Sequence, residues 1–306
     1  MLYVKFVSFL RIILMKRVLF LLVLFVVISC GRNSTGDSTQ IISVSIAPYK
    51  YFVEAIAGTD FKVNVMVAPG ANPHVYEPYP EQIADLRRSV AYISNGFLGF
   101  EMAWLERFYE INSGMKRLSL GDKINPLVSE HAGHHEEGHQ EGADPHYWIS
   151  PKCAAVMASS VFEFLCGIDP AAKVKYEKNY NALMEQIVEA DRKAEMLFSE
   201  FRGRSFMIYH PNLAYLARDY GLYEVAVEFE GKEPTPSRLK ELIDMAEKER
   251  INTIFVQKEY DIRNAKAIAN EIGAEVTVID PLSGDWLNTL TGIIDALHKS
   301  FNDVQK

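Results

Sequence analysis

The sequence predicts an α/β protein of two similar lobes, each with a mainly parallel four-stranded sheet, bridged by one long rigid α-helix. Short β-branched runs alternate with longer helical patterns along most of the 306 residues, which is typical of parallel α/β units. The strand candidates fall into two sets of four, the count expected of two similar lobes. They are Ile42–Ile46, Val63–Val67, Val90–Ser94 and Arg117–Leu120 in the first half, and Phe206–Tyr209, Glu224–Phe229, Thr253–Val256 and Glu275–Ile279 in the second.

The predicted bridging helix lies between the two sets of strands. From Ala171 to Arg202 there is no Gly or Pro, and Gly203 follows directly. Apolar residues recur there at alternating steps of four and three, which is a helical stripe. About 31 residues in one helix would span roughly 46 Å. The alternative is a long helix inside a single domain. The stripe consists of Tyr176, Tyr180, Leu183, Ile187, Ala190, Ala194, Leu197 and Phe201.

The N-terminus carries an export signal. Val18–Ile28 is an uninterrupted apolar run of 11 residues, and Lys16 and Arg17 precede it. This is the layout of a secretory signal, and the run is too short for a spanning helix of about 20 apolar residues. The run is followed by Ser29 and Cys30. That ending resembles the lipobox of bacterial lipoproteins, in which the Cys becomes the lipid-carrying N-terminus. An ordinary signal peptide with a chance Cys is the alternative.

The domain boundaries follow from the signal, the bridging helix and the strand sets. Met15 instead of Met1 is an open alternative for the true start. The chain after the signal is long enough for two lobes with separate cores. We predict a lipoprotein signal peptide over 1–29, a lipid anchor and flexible tether over 30–40, an N-terminal lobe over 41–169, a connecting helix over 170–202 and a C-terminal lobe over 203–306.

The charge balance excludes some classes of partner. The predicted signal holds four basic residues and no acidic one, so the rest of the chain carries 28 Lys and Arg against all 40 Asp and Glu. No basic patch indicates nucleic acid, and an acidic surface argues against a body lying on anionic lipid. We expect a monomer that touches the membrane only through its N-terminal lipid.

Two cysteines remain once Cys30 is assigned to the anchor. Cys153 and Cys166 fall in one predicted helix, where 13 residues correspond to a rise of about 20 Å. A disulfide needs Cα atoms within about 7 Å, so these two should not pair. We expect them to be buried small hydrophobes.

Half of the eight histidines crowd into one segment. The loop 130–142 (EHAGHHEEGHQEG) holds four His and four Glu among Gly and Ala, so it cannot bury a core. It could hold additional zinc weakly as a collector, or it could be a solvated linker that binds metal only because it is His-rich. Its histidines are His131, His134, His135 and His139.

Three further histidines and one aspartate lie near the ends of predicted strands. Ligands of open α/β sheets bind beyond the carboxyl ends of the strands. A lone His is more often a surface residue, and a carboxylate after a strand is as often a helix cap. Four such residues, two in each half, can nevertheless converge in a cleft between the lobes. They are His74 after Val63–Val67, His146 before the helix that begins after Ser150, His210 after Phe206–Tyr209, and Asp280 after Glu275–Ile279.

Three imidazoles and one carboxylate make a complete tetrahedral set of zinc ligands. Imidazole also suits copper, nickel and iron, whereas manganese favours oxygen-rich sites. The remaining histidine, His298, lies in the last amphipathic helix and has no comparable setting. We expect it to face solvent.

Five motifs carry a specific resemblance. PGANPHVYEP, DPHYWISP, YHPNLAYLARDYGL, EPTPSRLKELI and VIDPL occur in the order seen in periplasmic metal-binding proteins of zinc and manganese ABC importers. The chain resembles that family from about Ile41 to its C-terminus. The resemblance implies two lobes bridged by a rigid helix, with the metal between them. It implies that His74, His146, His210 and Asp280 are the metal ligands.

The resemblance favours the zinc-type members. Manganese-type members tend to have Glu where this chain has His210, and zinc-type members often carry a His-rich loop. Two positions depart from the usual motifs, because Asn72 and Ser150 stand where the family usually has Asp. Neither departure removes an implied ligand. The implied partners are the permease of an ABC importer and its ATPase.

The sequence therefore predicts a high-affinity extracytoplasmic protein, lipid-anchored to a bacterial membrane, that captures Zn²⁺ and delivers it to an importer. Manganese, iron or another transition metal is the alternative cargo. A surface adhesin or metal chaperone on the same scaffold is another alternative, because fold alone does not fix function. A secreted zinc hydrolase needs an open water position, which a fourth protein ligand would fill. The HExxH spacing at 135–139 falls in the Gly-punctuated loop and not in a predicted helix, so we expect no enzyme. A stiff connecting helix predicts small hinge motions.

Overall fold

The computed structural model describes residues 39–128, 142–228 and 234–303. The predicted signal peptide, Cys30, nearly all of the tether and the four histidines of the His-rich loop lie outside the described residues. So does Phe229, the last residue of one predicted strand. The chain from Gln40 onward forms one unit.

The N-terminal sheet is parallel and has the order β2-β1-β3-β4. The central strand β1 sets Ile42 opposite Val63 of β2 and Val44 opposite Ile93 of β3. Its last four residues are buried, as expected of a parallel strand covered on both faces. The elements are β1 (Gln40–Val44), α1 (Ala47–Ala57), β2 (Phe61–Val65), α2 (Pro80–Leu86), β3 (Ser89–Ser94), α3 (Gly99–Ile111) and β4 (Lys116–Ser119).

The C-terminal sheet repeats this topology, with the order β6-β5-β7-β8 and parallel pairing throughout. Its last helix, α9, begins at Trp286 and is the longest of this half. The elements are β5 (Ser205–Ile208), α6 (Ala214–Tyr220), β6 (Tyr223–Ala226), α7 (Pro236–Glu249), β7 (Thr253–Gln257), α8 (Ile262–Ile272), β8 (Glu275–Ile279) and α9 (Trp286–Asn302). The predicted fold class is confirmed.

The strand bounds differ from the predicted ones by up to two or three residues. The apolar residues Ile46 and Val67 are predicted to end strands, but they lie in the loops that follow β1 and β2. Both are nonetheless buried. A buried loop residue is as apolar as a strand residue, so hydrophobicity alone places the end of the strand too late in the sequence.

A helical layer joins the two sheets. It consists of a 3₁₀ turn (Tyr147–Ile149), α4 (Pro151–Ile168), a 3₁₀ turn (Pro170–Ala172), α5 (Lys173–Phe198) and a 3₁₀ turn (Ser199–Phe201). The 26 residues of α5 rise about 39 Å. Its buried face includes Tyr176, Leu183 and Ala194 of the predicted stripe. The bridging helix is therefore present, somewhat shorter than predicted because its two ends tighten into 3₁₀ turns.

The core is continuous between the lobes, which corrects the expectation of two separate cores. One cluster of buried side chains contains Phe52 of α1, Leu183 of α5, Phe206 of β5 and Leu290 of α9. A smaller cluster, including Leu242 and Val256, lies under α7 and α8. Chain length allows two cores, but it does not reveal which helices cross from one sheet to the other.

Two tryptophans, one from each lobe, each donate an indole hydrogen bond to a backbone carbonyl of the other lobe. The indole of Trp148 donates to the carbonyl of Pro281 over 2.9 Å, and the indole of Trp286 donates to the carbonyl of Trp148 over 2.7 Å. The Trp286 ring also packs on Phe52, with ring centroids 4.8 Å apart. Helix α9 is thus fixed to the N-terminal half as well as to its own.

Helix α4 is apolar and long enough to cross a membrane, but it is a core helix of this fold. Its buried residues include Met157, Val161 and Leu165. Both cysteines lie on it and are unpaired, as predicted. Cys153 is buried, whereas Cys166 is only half-buried, so the expected burial holds for one of them.

Candidate metal centre

Three histidines from three separate segments meet between the lobes. The Nε2 atom of His74 lies 3.2 Å from Nε2 of His146 and 3.2 Å from Nε2 of His210. One ring nitrogen from each lies within 4.8 Å of the other two. Ligands about 2.0 Å from a tetrahedral zinc ion are separated by roughly 3.3 Å. The spacing of these nitrogens therefore suits a shared metal ion.

His74 is held by the loop between β2 and α2. Its backbone N–H donates to Oδ1 of Asn72 over 2.8 Å, a side-chain turn that is typical of Asn and Asp. The N-terminus of α3 closes on the same loop, where the N–H of Phe100 donates to the carbonyl of Pro73 over 3.3 Å. A Cβ on Gly99 would lie 2.6 Å from the carbonyl oxygen of His74, so only glycine permits this contact.

His146 is held by a matching turn. Its backbone N–H donates to Oδ1 of Asp144 over 2.8 Å, and its ring Nδ1 lies 2.8 Å from the same oxygen. The carbonyl of Pro145 accepts from the Asn95 side chain over 2.9 Å, which ties the turn to the end of β3. His146 is 6% exposed. Two copies of one local motif, Asn-Pro-His and Asp-Pro-His, therefore position two of the three histidines.

His210 follows β5 and is held by its neighbours in the C-terminal sheet. Its ring Nδ1 lies 2.5 Å from Oε1 of the buried Glu228, just beyond β6. The side chain of Gln257, at the end of β7, bonds both the N–H and the carbonyl of His210. The ring of Tyr260 stacks on the imidazole, with centroids 4.9 Å apart.

The two carboxylates orient their histidines. A carboxylate that accepts the Nδ1–H of an imidazole fixes the tautomer whose Nε2 carries a free lone pair. Asp144 and Glu228 thus leave Nε2 of His146 and His210 with a free lone pair for a metal ion, on the side where the three rings meet. They also place two negative charges behind the rings, which favours a cation among them.

Burial favours the neutral form of two of the three imidazoles. Burial lowers the pKa of His74 to about 3, and the nearby His146 and His210 contribute in the same direction. Burial also lowers the pKa of His210, although Glu228 opposes this. Burial would raise the pKa of Asp144, but the charge and hydrogen bonds of His146 outweigh it and hold that pKa below its usual value. Neutral imidazoles are the form that binds metal.

Each lobe also contains a glutamate that holds the backbone beside the site. The fully buried Glu101 accepts from the N–H groups of Asn95 and Gly96, each over 2.7 Å. Glu224 accepts from the N–H groups of Asn212 and Leu213, over 3.2 and 2.6 Å. Burial raises the pKa of Glu101 to about 7 and that of Glu224 to about 8.

Asp280 is not part of the histidine group. Among the described residues that group contains the three histidines alone. Asp280 lies directly after β8, at the strand end where the sequence places it, but its Oδ2 pairs with Nζ of Lys258 over 3.2 Å. The two residues line a cleft cavity of about 180 Å³, whose other wall includes Ala68–Gly70 of the N-terminal lobe.

The other histidines divide into two groups. His131, His134, His135 and His139 lie outside the described residues, so their metal binding stays a prediction. His298 does not face solvent as expected. It is half-buried, and its ring packs against Phe201 with centroids 5.7 Å apart. The reason is that α9 packs against the 3₁₀ turn that follows α5.

Sequence reasoning missed Asp144, Glu228, Gln257 and Tyr260. Asp144 had a usable signal, because it stands two residues before His146 as Asn72 stands before His74. Glu228 had none, since it lies in a segment predicted as a strand, whereas β6 ends at Ala226. Gln257 ends β7 and Tyr260 lies three residues later, far from His210 in sequence, and only the sheet order brings them to His210.

Comparison with known proteins identifies the family. The family described as the periplasmic component A of zinc-uptake complexes, ZnuA, matches residues 42–300. The chain belongs to this family. Its description is that of an uptake component and not of an enzyme.

Solved ZnuA structures have the same fold. A crystal structure of ZnuA is 35% identical, covers 86% of this chain and 99% of its own, and superposes with a TM-score of 0.78. A ZnuA deletion mutant with zinc bound gives the same identity and TM-score, with 86% and 98% coverage. The two-lobe ZnuA architecture is thus that of this chain.

A longer relative matches over part of its length. The zinc-binding lipoprotein AdcA of Streptococcus pneumoniae is 28% identical over 264 residues, which are 83% of this chain and 52% of the relative. The chain therefore spans about half the length of this curated relative.

Proposed function

We propose that this ZnuA-family chain is an extracytoplasmic zinc-binding protein that captures Zn²⁺ and delivers it to an ABC-type importer. It binds its cargo without chemical transformation. The observation that carries the proposal is the convergence of three imidazole nitrogens from both lobes, with Nε2 of His74 3.2 Å from Nε2 of each of the other two.

The donor chemistry favours zinc over manganese. Imidazole nitrogen suits zinc, copper, nickel and iron, whereas manganese prefers oxygen ligands. The three described donors are all nitrogens, and the carboxylates of Asp144 and Glu228 contact the rings at Nδ1. The names of the relatives support the same cargo, since AdcA is called zinc-binding and the ZnuA deletion mutant contains zinc.

Asp280 is the proposed fourth ligand. A closed tetrahedral site needs four donors, and Asp280 is the residue that the family motif VIDPL implies. Its carboxylate pairs with Lys258, so zinc binding requires Asp280 to exchange that partner for the metal. The ligand set His74, His146, His210 and Asp280 is the one that the experiments below address.

The lipid anchor and the transport partners also belong to the proposal. The family description is periplasmic, and AdcA is called a lipoprotein. Lipidation at Cys30, after removal of residues 1–29, would tether the lobes 41–169 and 203–306 near a membrane. The loaded protein would then dock as a monomer on the permease, whose ATPase drives import. Metabolic labelling with a radioactive fatty acid tests the anchor, since Cys30→Ala should abolish incorporation.

The decisive experiment is a metal titration of the purified protein. Competition with a chromophoric zinc chelator should give one tight site per chain. Manganese offered at equal concentration should not displace the zinc. Tight manganese binding, or no tight zinc site at all, would overturn the proposal.

A further inference from the structure

Lys258 and Asp280 are adjacent at the ends of neighbouring parallel strands. Gln257 of β7 is in register with Ile279 of β8, and each of the two charged residues comes next along its strand. The N–H of Lys258 donates to the carbonyl of Ile279 over 3.0 Å, so the two backbones are fixed to each other. Their side chains form the 3.2 Å ion pair. The pairing therefore follows from the sheet register.

The ion pair lies in the cleft and is partly hydrated. The side chain of Lys258 is 65% exposed and that of Asp280 is 36% exposed. A pair this exposed contributes little to stability, because water and salt screen it. It can therefore exchange without unfolding its surroundings. Glu259 lies close enough to Asp280 for their charges to interact. Burial raises the pKa of Glu259, and the charge of Asp280 adds to this rise.

The segment that bears Lys258 also holds His210. Gln257 bonds the backbone of His210, and Tyr260 stacks on its ring. One short stretch at the end of β7, residues 257–260, thus contacts both residues that the C-terminal lobe offers to the metal. The contacts of Gln257 and Tyr260 position His210. The ion pair of Lys258, in contrast, occupies the carboxylate of Asp280.

We propose that Lys258 sets the metal affinity by competing with the bound ion for the carboxylate of Asp280. The inference rests on the proposed function and on Asp280 as the fourth ligand. A divalent ion attracts the carboxylate more strongly than one hydrated ammonium does, so the ion wins when it is present. The cost of breaking the ion pair is subtracted from the binding free energy. When the ion leaves, Lys258 neutralises the carboxylate again, which favours release.

A double-mutant cycle on zinc affinity tests this role. The four proteins are the wild type, Lys258→Gln, Asp280→Asn and the double variant, each titrated with zinc against a chromophoric chelator. Lys258→Gln should tighten zinc binding roughly two- to fivefold, the range set by the small strength of an exposed pair. Asp280→Asn should weaken it by more than about tenfold, because an amide is a poorer zinc ligand than a carboxylate.

The double variant separates competition from simple charge repulsion. If Lys258 acts through Asp280, Lys258→Gln should change the affinity little in the Asp280→Asn background. A gain of zinc affinity of the same size in both backgrounds would overturn the inference. Removal of a positive charge near the metal would then explain the gain without any role for Asp280. Unchanged or weaker binding by Lys258→Gln in the wild-type background would overturn it as well.

Two further variants serve as controls. Lys258→Arg keeps a cation beside Asp280 and should bind zinc within about twofold of the wild type, because an exposed ion pair with either cation is weak. Lys266→Gln removes the same charge from an exposed position on α8 and should leave the affinity unchanged. Absence of zinc binding by the wild type would overturn the proposed function itself. Normal wild-type binding with a failed cycle would overturn only the role of Lys258.

Discussion

The two lobes bring their histidines to the same place but hold them in different ways. In the N-terminal lobe, His146 is tied to a buried network in which the Asn95 side chain donates to both Pro145 and Tyr49, and the Tyr147 hydroxyl donates to the carbonyl of Asn95. In the C-terminal lobe, His210 is held by side chains that reach it from neighbouring strands. Asp280 there is paired with an exposed lysine.

The difference indicates that the two lobes contribute to the site in different ways. Asn95, Tyr49 and Tyr147 are fully buried, so the N-terminal part of the site is preformed and stiff. The C-terminal lobe has a second, smaller core under α7 and α8, and its charged residues at the cleft are partly hydrated. Adjustment to the metal is therefore expected mainly in the C-terminal lobe.

The strongest test of this comparison removes the single histidine that the C-terminal lobe supplies. His210→Ala should weaken zinc binding by two orders of magnitude or more, about 3 kcal/mol, because one of three nitrogen ligands is lost. The fold should persist, since the residue lies in a loop after β5. Circular dichroism and a zinc competition titration measure both effects.

His298→Gln is the matched control, because it removes a histidine outside the cluster. Its zinc affinity should equal that of the wild type. Near-normal affinity of His210→Ala would remove His210 from the ligand set.

The buried glutamates give each lobe a pH-dependent stability. The pKa of Glu101 is about 7 in the fold and 4.5 as its ordinary value, so between these pH values the folded state keeps a proton that the unfolded state has lost. The free energy of unfolding therefore falls as pH rises through this window, by up to about 1.4 kcal/mol per pH unit for this group, or on the order of 3 kcal/mol in all.

Urea unfolding of zinc-stripped protein at pH 5, 6, 7 and 8 measures this slope. Glu101→Gln should flatten it by the contribution of one group, while Glu224 in the other lobe continues to titrate. Glu106→Gln, on the exposed face of the same helix, should leave the slope unchanged. An identical slope in Glu101→Gln and the wild type would contradict the assignment.

The carboxylates behind the histidines allow a direct comparison of the lobes. Asp144→Ala and Glu228→Ala should each weaken zinc binding by about tenfold, because the partner of a metal-bound histidine orients the ring and raises its basicity. The N-terminal variant should also lower the melting temperature more, since Asp144 bonds the backbone of His146 as well as its ring. Equal losses of stability would argue that the two lobes are equally stiff.

The smallest effect is expected from the His-rich loop. Deletion of residues 131–141 should leave the tight zinc site and the thermal stability unchanged, because His74, His146 and His210 all lie elsewhere in the chain. It should remove any additional weak equivalents together with His131, His134, His135 and His139. Zinc stoichiometry of the deletion protein measures this. Loss of the tight equivalent would mean that the loop provides a primary ligand.

The architecture was readable from sequence because it follows from periodicity. Eight β-branched runs and one uninterrupted helical stripe are local patterns, and each survives in the fold. Strand ends also located His74 and His210, since ligands of open α/β sheets bind beyond the carboxyl ends of the strands. His146 was located by the start of the helix that follows Ser150. The Asn-Pro-His and Asp-Pro-His turns are local as well, and reading them together would have revealed Asp144.

Contacts between distant segments could not be read in this way. The pairing of Asp280 with Lys258 depends on β7 and β8 being neighbours in register, and the contact of Glu228 with His210 depends on β6 lying beside β5. The return of α9 onto the N-terminal half depends on Trp286 packing against Phe52. No pattern within one element encodes these neighbours.

The continuous core has a consequence for how the protein can be divided and recombined. Because Phe52, Leu183, Phe206 and Leu290 share one cluster, neither lobe can lose its partner without exposing a large apolar surface. The reciprocal bonds of Trp148 and Trp286 cross the same boundary. Unfolding should accordingly be a single cooperative transition. A chimaera that takes one lobe from a relative would have to import α9 along with the N-terminal half against which it packs.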